Sequence, residues 1–266
     1  GGEARSGAAG PSRWYGESQV SGGGGAEEKG GAGRSRARAR KGFLAVELVE
    51  QATNYGVARS IIQGVTDLTT RIGKVIVLED DLLPSRHFLR YMNEALDLYQ
   101  DAEEVISIHG YSYPVNAPLP ETFFLRGADC WGWATWKRGW ELFEPDGRKL
   151  LAELQSRKLT REFDFGGNYP FTRMLRDCMA GKNDSWAIRW YASAFLRGKL
   201  TLYPASSQVQ NIGADGSGYH VGTTNFFEHR AWGKPVDLAP IRKQDTPETR
   251  RNFAEYPAGP RPASGH

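Results

Sequence analysis

The chain has 266 residues, of which 39% are hydrophobic and 24% are charged, and its formal net charge is +3. These values are ordinary for a globular protein with a Gly-rich end, and the length allows one large domain or two small ones. No run approaches the roughly 18 apolar residues of a membrane span, and no apolar signal-like core begins the chain, so we expect a cytoplasmic protein or a fragment without a membrane span.

The first 42 residues hold the positive charge of the chain. They contain eight Lys or Arg and four Asp or Glu, which is +4, so the remaining residues sum to 3 − 4 = −1. Their Gly- and Arg-rich composition cannot form a core and predicts a disordered tail. No aromatic pattern interleaves the arginines of RSRARARK, and we expect no nucleic-acid partner. At the other end, residues 236–266 are polar and Pro-rich and predict a second tail.

The first predicted elements between the tails are helices. From Phe43 to Leu68, apolar residues recur at helical spacings, and the TNYG sequence at 53–56 breaks this run into two helices. The next stretch, Val75–Leu78, has no polar alternation, which is typical of a central parallel strand with both faces covered.

A strand, a helix and a strand follow one another in this part of the chain. Pro84 and Ser85 open the amphipathic helix SRHFLRYMNEALDLYQ, and VISIHGY is a second short buried strand. This order predicts a right-handed crossover in an open α/β sheet, where ligands bind outside the carboxyl ends of the strands.

Three carboxylates, Glu79, Asp80 and Asp81, come directly after the first buried strand. Adjacent carboxylates raise one another's pKa unless a cation lies among them. A divalent metal with oxygen ligands, Mn²⁺ or Mg²⁺, suits this cluster, especially when it is shared with phosphates. An acidic turn that caps the next helix is the alternative.

Four stretches carry a resemblance to a known family. In chain order they are VIVLEDDLLPSRHFLRYM, CWGWATWKRGWELFEP, NDSWAIRW and YPASSQVQNIGADGSGYH. With them the chain resembles nucleotide-sugar glycosyltransferases of the GT-A fold, in particular family-2-like bacterial sugar transferases and the Golgi N-acetylglucosaminyltransferases that carry an EDD version of the DxD motif. The resemblance spans about residues 54–229 and implies a partial GT-A domain over residues 43–235. The implied fold is α/β, with a Rossmann-like, open, mostly parallel sheet flanked by helices.

The resemblance also implies a missing part. GT-A domains begin with a strand, a helix and a strand that hold the nucleotide base, and the Gly/Arg-rich tail takes that place here. We therefore expect the domain, and with it the nucleoside pocket, to be amino-terminally incomplete.

Metal and donor binding are assigned by the same resemblance. Asp81 matches the acid that binds the Mn²⁺ bridging the donor diphosphate, Asp80 matches the acid near the ribose, and Glu79 matches the acid that orients the site. His220 matches a histidine that reaches the metal, for which neutral imidazole is an acceptable ligand. A solvated histidine in a polar loop is the alternative for His220.

Asp184 matches the general base of inverting enzymes, which takes the proton from the acceptor hydroxyl. Either Asn183 or Asp184 could instead cap the helix that follows.

Aromatic residues near these acids suit sugar binding. Indole faces stack on pyranose rings, and a glycine admits close approach of a ligand. The predicted sugar contacts are Trp131, Gly132, Trp133 and Trp186. Core packing is the alternative for each tryptophan.

Together these expectations describe a metal-dependent inverting glycosyltransferase. It would move a hexosyl or N-acetylhexosaminyl group from a nucleoside-diphosphate donor to a hydroxyl of a glycan or another acceptor. A degenerate or truncated family member that binds glycan or nucleotide without turnover is one alternative. A glycoside hydrolase that uses Glu79 or Asp81 with Asp184 is another, although hydrolases need neither the acidic cluster nor a metal.

Overall fold

The computed structural model describes residues 15–17, 45–51, 53–115, 118–212 and 232–254. Its contacts divide the chain into two units, residues 1–64 and residues 65–266. The described strands are β1 (Tyr15–Glu17), β2 (Ala45–Glu47), β3 (Lys74–Val77), β4 (Leu82–Pro84), β5 (Val105–His109), β6 (Thr122–Arg126), β7 (Trp133–Trp136), β8 (Leu200–Pro204) and β9 (Val209–Asn211). The described helices are α1 (Gly56–Ile72), α2 (Phe88–Leu98), α3 (Lys137–Trp140), α4 (Gly147–Ser156), α5 (Thr160–Phe163), α6 (Phe171–Met179), α7 (Trp186–Leu196) and α8 (Pro247–Ala254), with a 3₁₀ turn at Phe165–Gly167. Across these described segments, every helix is too short or too polar to cross a membrane.

The first unit contains a two-stranded parallel sheet in which Tyr15 of β1 lies opposite Ala45 of β2. Strand β1 falls inside the predicted tail 1–42, whose other residues lie outside the described part of the chain. The helix predicted from Phe43 is replaced by β2, and the second predicted helix forms as α1. A short apolar stretch fits either period, so strand pairing decides its structure.

The second unit is built on a five-stranded mixed sheet with the order β3-β7-β5-β8-β6. Strand β7 is antiparallel to both β3 and β5, so β3 and β5 run in the same direction, and β8 is parallel to β5. Because β6 is antiparallel to β8, three of the four neighbouring pairs are antiparallel. The prediction of an α/β fold is confirmed, but the described sheet is mostly antiparallel rather than mostly parallel.

The predicted strand-helix-strand order is present as β3, α2 and β5. A strand from later in the chain, β7, lies between the two parallel strands, which places β3 at an edge of the sheet among the described strands. The sequence predicted a central strand because Val75 and Val77 are both apolar, and they are indeed buried. An apolar run indicates that both faces of a strand are covered, but it does not indicate which strands pair with it on either side.

Helices cover both faces of the sheet. Adjacent residues of β6 point to opposite faces, as strand geometry requires. Phe124 therefore lies in the cluster built on α2, whereas Phe123 and Leu125 lie in the cluster built on α4, α6 and α7. The sheet with a helical layer on each face fixes the positions of the strand ends.

The carboxyl-terminal segment belongs to the fold beyond residue 235, where the sequence predicted the start of a tail. Val236 is buried in the cluster of α2, and Phe253 of α8 is buried in the opposite cluster. Arg250 pairs with Asp245 at 2.7 Å, and the backbone N–H of Arg126 donates to the same carboxylate at 3.3 Å. Two buried apolar residues so far apart create no periodic pattern, which is why the sequence does not predict this docking.

Candidate functional site

The predicted acidic cluster and Trp131–Trp133 lie at one end of the five-stranded sheet, which is called the carboxyl edge because three strands end there. Strands β3, β5 and β8 end at this edge, and β7 begins there because it runs in the opposite direction. The register fixes the arrangement, since Trp133 at the start of β7 lies opposite both Val77 at the end of β3 and His109 at the end of β5. The segments after β3 and β5 and the segment before β7 are therefore neighbours.

The acidic loop, Glu79–Asp81, connects β3 to β4. The backbone N–H of Leu82 donates to the Glu79 carbonyl at 3.2 Å, and that of Ile212 donates to the Asp81 carbonyl at 2.8 Å. The Asp81 carboxylate accepts a long hydrogen bond of 3.5 Å from Asn211 Nδ2. Strand β4 separates this loop from α2, whose N-cap residue is His87, so the loop does not cap that helix.

Two carboxyl groups of the acidic loop, those of Glu79 and Asp81, have raised pKa values. Burial, followed by the charges of Asp81 and Asp80, raises the pKa of Glu79 from 4.5 to about 7. Burial is also the largest cause of the raised pKa of Asp81, with the charge of Asp80 second. Within the described segments, none of the three carboxylates forms an ion pair with Lys, Arg or His. Among the described residues, the loop therefore concentrates negative charge without a protein cation beside it.

The acidic loop by itself is an incomplete metal site. In the part of the chain that the structure describes, no three His, Cys, Asp or Glu side chains converge to hold an ion. His220, the predicted further ligand, lies outside the described residues. The carboxylate oxygens of Glu79 and Asp81 nevertheless fit Mg²⁺-like ions, which are held by one or two carboxylates while substrate phosphates and water complete the shell.

The aromatic loop, Ala128–Gly132, precedes β7 and meets the acidic loop at this edge. Burial raises the pKa of the Cys130 thiol, and the charges of Asp129, Glu79 and Asp81 raise it further, so the thiol faces both groups of carboxylates. Trp131 is half-buried, and its ring packs edge-on against Tyr111 with centroids 4.8 Å apart. Trp131 is therefore only partly covered by protein.

The other predicted sugar contacts are covered by protein. Gly132 has a φ of +61°, and a Cβ there would lie 2.7 Å from Val209 Cγ1, so the glycine admits core side chains rather than a ligand. Trp133 is fully buried, and its ring stacks on the buried Trp186 with centroids 5.5 Å apart. The structure therefore places three of the four predicted sugar contacts in the core: Gly132, Trp133 and Trp186.

The start of α7 lies at the same edge, because Trp186 in its first turn stacks on Trp133. The N-cap of this helix is Ser185, whose hydroxyl accepts from the backbone N–H of Ile188 at 3.3 Å. Neither Asn183 nor Asp184 is therefore the cap. The cap is the residue directly after the two that the sequence offered.

Asp184 presents its carboxylate to solvent. Its side chain is 73% exposed, and its Oδ1 accepts a hydrogen bond of 2.9 Å from Arg189, one turn into α7. The guanidinium of Arg189 is largely buried and also donates to the Pro145 carbonyl at 3.3 Å. The predicted base is therefore accessible, but it has a positive partner.

Sequence reasoning missed Asp129, His109 and Tyr113. Asp129 Oδ2 accepts from the Tyr113 hydroxyl at 3.0 Å, and His109 Nε2 accepts from the backbone N–H of Trp131 at 3.1 Å. The signal that could have found Asp129 is its place in GADCWGW, directly before the tryptophans. His109 is the last residue of the buried strand β5, which ends at the same edge, and Tyr113 follows that strand.

Comparison with models of known protein families gives no match for this chain, and comparison with curated proteins finds no significantly similar sequence. The geometry of the sheet edge therefore carries the functional interpretation.

Proposed function

We propose that this chain is a metal-dependent inverting glycosyltransferase that moves a sugar from a nucleoside-diphosphate donor to a hydroxyl acceptor. The observation that carries the proposal is the acidic loop. Glu79 and Asp81 are partly buried carboxylates with raised pKa values, and within the described residues they lack a cationic partner. Such a loop is stabilised when a divalent cation binds to it.

The chemistry of a nucleotide sugar suits this edge of the sheet. A divalent ion, Mn²⁺ or Mg²⁺, neutralises the negative charge that develops on a diphosphate leaving group. In the proposal Asp81 is the metal ligand, Glu79 and Asp80 complete the donor side, and Trp131 offers an indole face to the sugar. The finer GT-A architecture is part of the same proposal, and the common direction of β3, β5 and β8 supports it.

Asp184 is the proposed general base. A sugar hydroxyl is a weak nucleophile at neutral pH, so a carboxylate that accepts its proton speeds the displacement by roughly 10²- to 10⁴-fold. The exposure of Asp184 leaves it accessible to an acceptor.

The ion pair with Arg189 favours a second candidate, a family member that binds donor or glycan without turnover. The Arg189 guanidinium donates to Asp184 Oδ1 at 2.9 Å, so one carboxylate oxygen is already occupied and less available to an acceptor hydroxyl. The two candidates share the metal and donor site and differ only in turnover.

The test is the release of nucleoside diphosphate from a panel of UDP- and GDP-sugars in the presence of Mn²⁺. We expect release by the wild-type chain, its loss with EDTA, and a fall of roughly 10²- to 10⁴-fold in Asp184→Asn. The matched control is Asp97→Asn, because Asp97 is also an exposed carboxylate in an ion pair, with Lys74 at 2.7 Å. Its release should equal that of the wild type.

Calorimetry with Mn²⁺ and UDP separates the remaining outcomes. Binding of both without release from any sugar would favour the second candidate. Sugar release that ignores EDTA would indicate a hydrolase, and absence of both binding and release would overturn the proposal.

A further inference from the structure

The aromatic loop is fixed by side chains that the proposed function does not use. Asp129 accepts two hydrogen bonds, from the backbone N–H of Cys130 to Oδ1 at 2.8 Å and from the Tyr113 hydroxyl to Oδ2 at 3.0 Å. A carboxylate that accepts two donors through different oxygens has a defined orientation. The loop is thereby tied to the segment that follows β5.

His109 holds the next backbone amide of the same loop. It is fully buried at the end of β5, and its Nε2 accepts from the backbone N–H of Trp131 at 3.1 Å. A nitrogen that accepts cannot carry a proton, so the ring is neutral with its proton on Nδ1. Burial lowers the pKa of His109 against the opposing effect of Asp129, whose Oδ1 lies 3.8 Å from Nε2.

We propose that Asp129 is a positioning residue that, together with His109 and Tyr113, sets the orientation of Trp131 at the edge occupied by the acidic loop. This inference rests on the proposed function, because Trp131 is the residue offered there to the sugar. Consecutive amides of the loop are held from two side chains, so the backbone at Trp131 cannot rotate without breaking one of these bonds. The indole is then presented in one orientation before a sugar arrives, which reduces the ordering that binding requires.

The variants remove these bonds in steps. Asp129→Ala removes both acceptor oxygens, Asp129→Asn keeps one oxygen for the Cys130 amide, and Tyr113→Phe removes only the hydroxyl. The matched control is Asp164→Ala, because Asp164 is another half-buried carboxylate that accepts a backbone N–H, from Thr172 at 2.6 Å.

The first measurement needs no substrate. In protein labelled with 5-fluorotryptophan, the Trp131 resonance is assigned by its absence in Trp131→Phe. We expect Asp129→Ala to shift or broaden this resonance, Asp129→Asn to shift it less, and Asp164→Ala to leave it in place. An unchanged Trp131 resonance in Asp129→Ala, or the same change in Asp164→Ala, would overturn the inference.

A variant with a smaller change protects the test against misfolding. If Asp129→Ala does not fold, Tyr113→Phe decides, because it deletes one hydroxyl and keeps the ring that packs on Tyr111 with centroids 5.1 Å apart. A shifted Trp131 resonance in Tyr113→Phe supports the positioning role, and an unshifted one contradicts it.

The second measurement uses the nucleotide sugar that the wild-type chain turns over. Asp129→Ala should raise the KM for this donor by up to about tenfold, because the indole must then be ordered when the donor binds, with a smaller change in kcat. An unchanged KM would overturn the role in donor binding. If the wild type turns over no sugar, the proposed function fails, while the fluorine spectra still decide whether Asp129 positions Trp131.

Discussion

Two carboxyl groups of the second unit are largely buried, yet their surroundings differ. Asp245 lies 2.7 Å from the guanidinium of Arg250 and accepts a backbone hydrogen bond from Arg126. Glu79 has Asp80 and Asp81 beside it. Burial is the largest cause of the raised pKa of both groups, but Arg250 opposes it at Asp245, whereas neighbouring negative charges add to it at Glu79.

The difference separates a carboxylate that a cation of the protein compensates from one that has no such partner among the described residues. A buried charge is tolerated when a partner of opposite charge is built into the fold, as at Asp245. The acidic loop is held in place by backbone hydrogen bonds at Glu79 and Asp81 instead, and none of the described residues provides a cation for its carboxylates. Perturbed acids in such a position are typical of functional sites.

The largest expected effect on stability follows from removing the guanidinium that pairs with Asp245. Arg250→Ala should lower the free energy of unfolding by about 3–5 kcal/mol, because it leaves a buried carboxylate without its partner. Urea unfolding at pH 7 measures this. Arg251→Ala, at the next and exposed position of α8, is the control and should stay within about 0.5 kcal/mol of the wild type. A loss below about 1 kcal/mol in Arg250→Ala would mean that the guanidinium does not compensate Asp245.

The second effect has the opposite sign, since Glu79 lacks a cationic partner among the described residues. Its pKa is about 7 in the folded chain against 4.5 as the ordinary value, so the folded state keeps a proton that the unfolded state releases. Stability should therefore fall as the pH rises from about 4.5 to about 7. Glu79→Gln removes this dependence and should raise the free energy of unfolding by up to about 3 kcal/mol at pH 8, with little change near pH 4.5.

Urea unfolding at pH 4.5 and at pH 8 measures the effect of Glu79→Gln. The control is Glu94→Gln, an exposed glutamate that pairs with Arg90 at 2.9 Å and should show no gain at pH 8. A destabilised Glu79→Gln at pH 8 would mean that a cation of the protein already neutralises this carboxylate.

The smallest effect concerns Asp184, an exposed carboxylate with a partner. Asp184→Asn should change the free energy of unfolding by less than about 0.5 kcal/mol, because exposed ion pairs contribute little. Ser185→Ala should cost about 1 kcal/mol, because the serine is the N-cap of α7. Urea unfolding of both variants at pH 7 measures the difference, and a loss above about 1 kcal/mol in Asp184→Asn would mean that its ion pair with Arg189 stabilises the fold.

The sequence predicts those parts of the fold that depend on local patterns. The apolar stretch Val75–Leu78, the helix after Ser85 and the strand in VISIHGY all form near their predicted places. Strand order depends on long-range pairing, which is why the insertion of β7 and the edge position of β3 are absent from the apolar pattern. The docking of Phe253 likewise depends on contacts with rings that are distant in sequence, such as Tyr113 and Tyr203, rather than on a period.

The sequence predicts those parts of the candidate site that can be recognised from residue type alone. Glu79, Asp80 and Asp81 follow a strand, and the structure places them at its carboxyl end. Burial of the indoles cannot be read from composition, so the sequence does not distinguish the half-buried Trp131 from the buried Trp133. The hydrogen bonds of Asp129 also escape prediction, because Tyr113 reaches it only through the pairing of β5 with β7.

The most direct test of the account is calorimetric titration of Mn²⁺, with UDP present, into the wild type, Asp81→Asn and Asp80→Asn. The exposed Asp97→Asn serves as the control for a lost negative charge. We expect the wild type and Asp97→Asn to bind Mn²⁺ with equal affinity. Asp81→Asn should bind Mn²⁺ at least about tenfold more weakly, because losing only a hydrogen-bonding partner of a metal ligand already weakens metal binding by about tenfold. Asp80→Asn should weaken binding less than Asp81→Asn does. Equal Mn²⁺ affinity in the wild type and Asp81→Asn would contradict the claim that the acidic loop binds the metal.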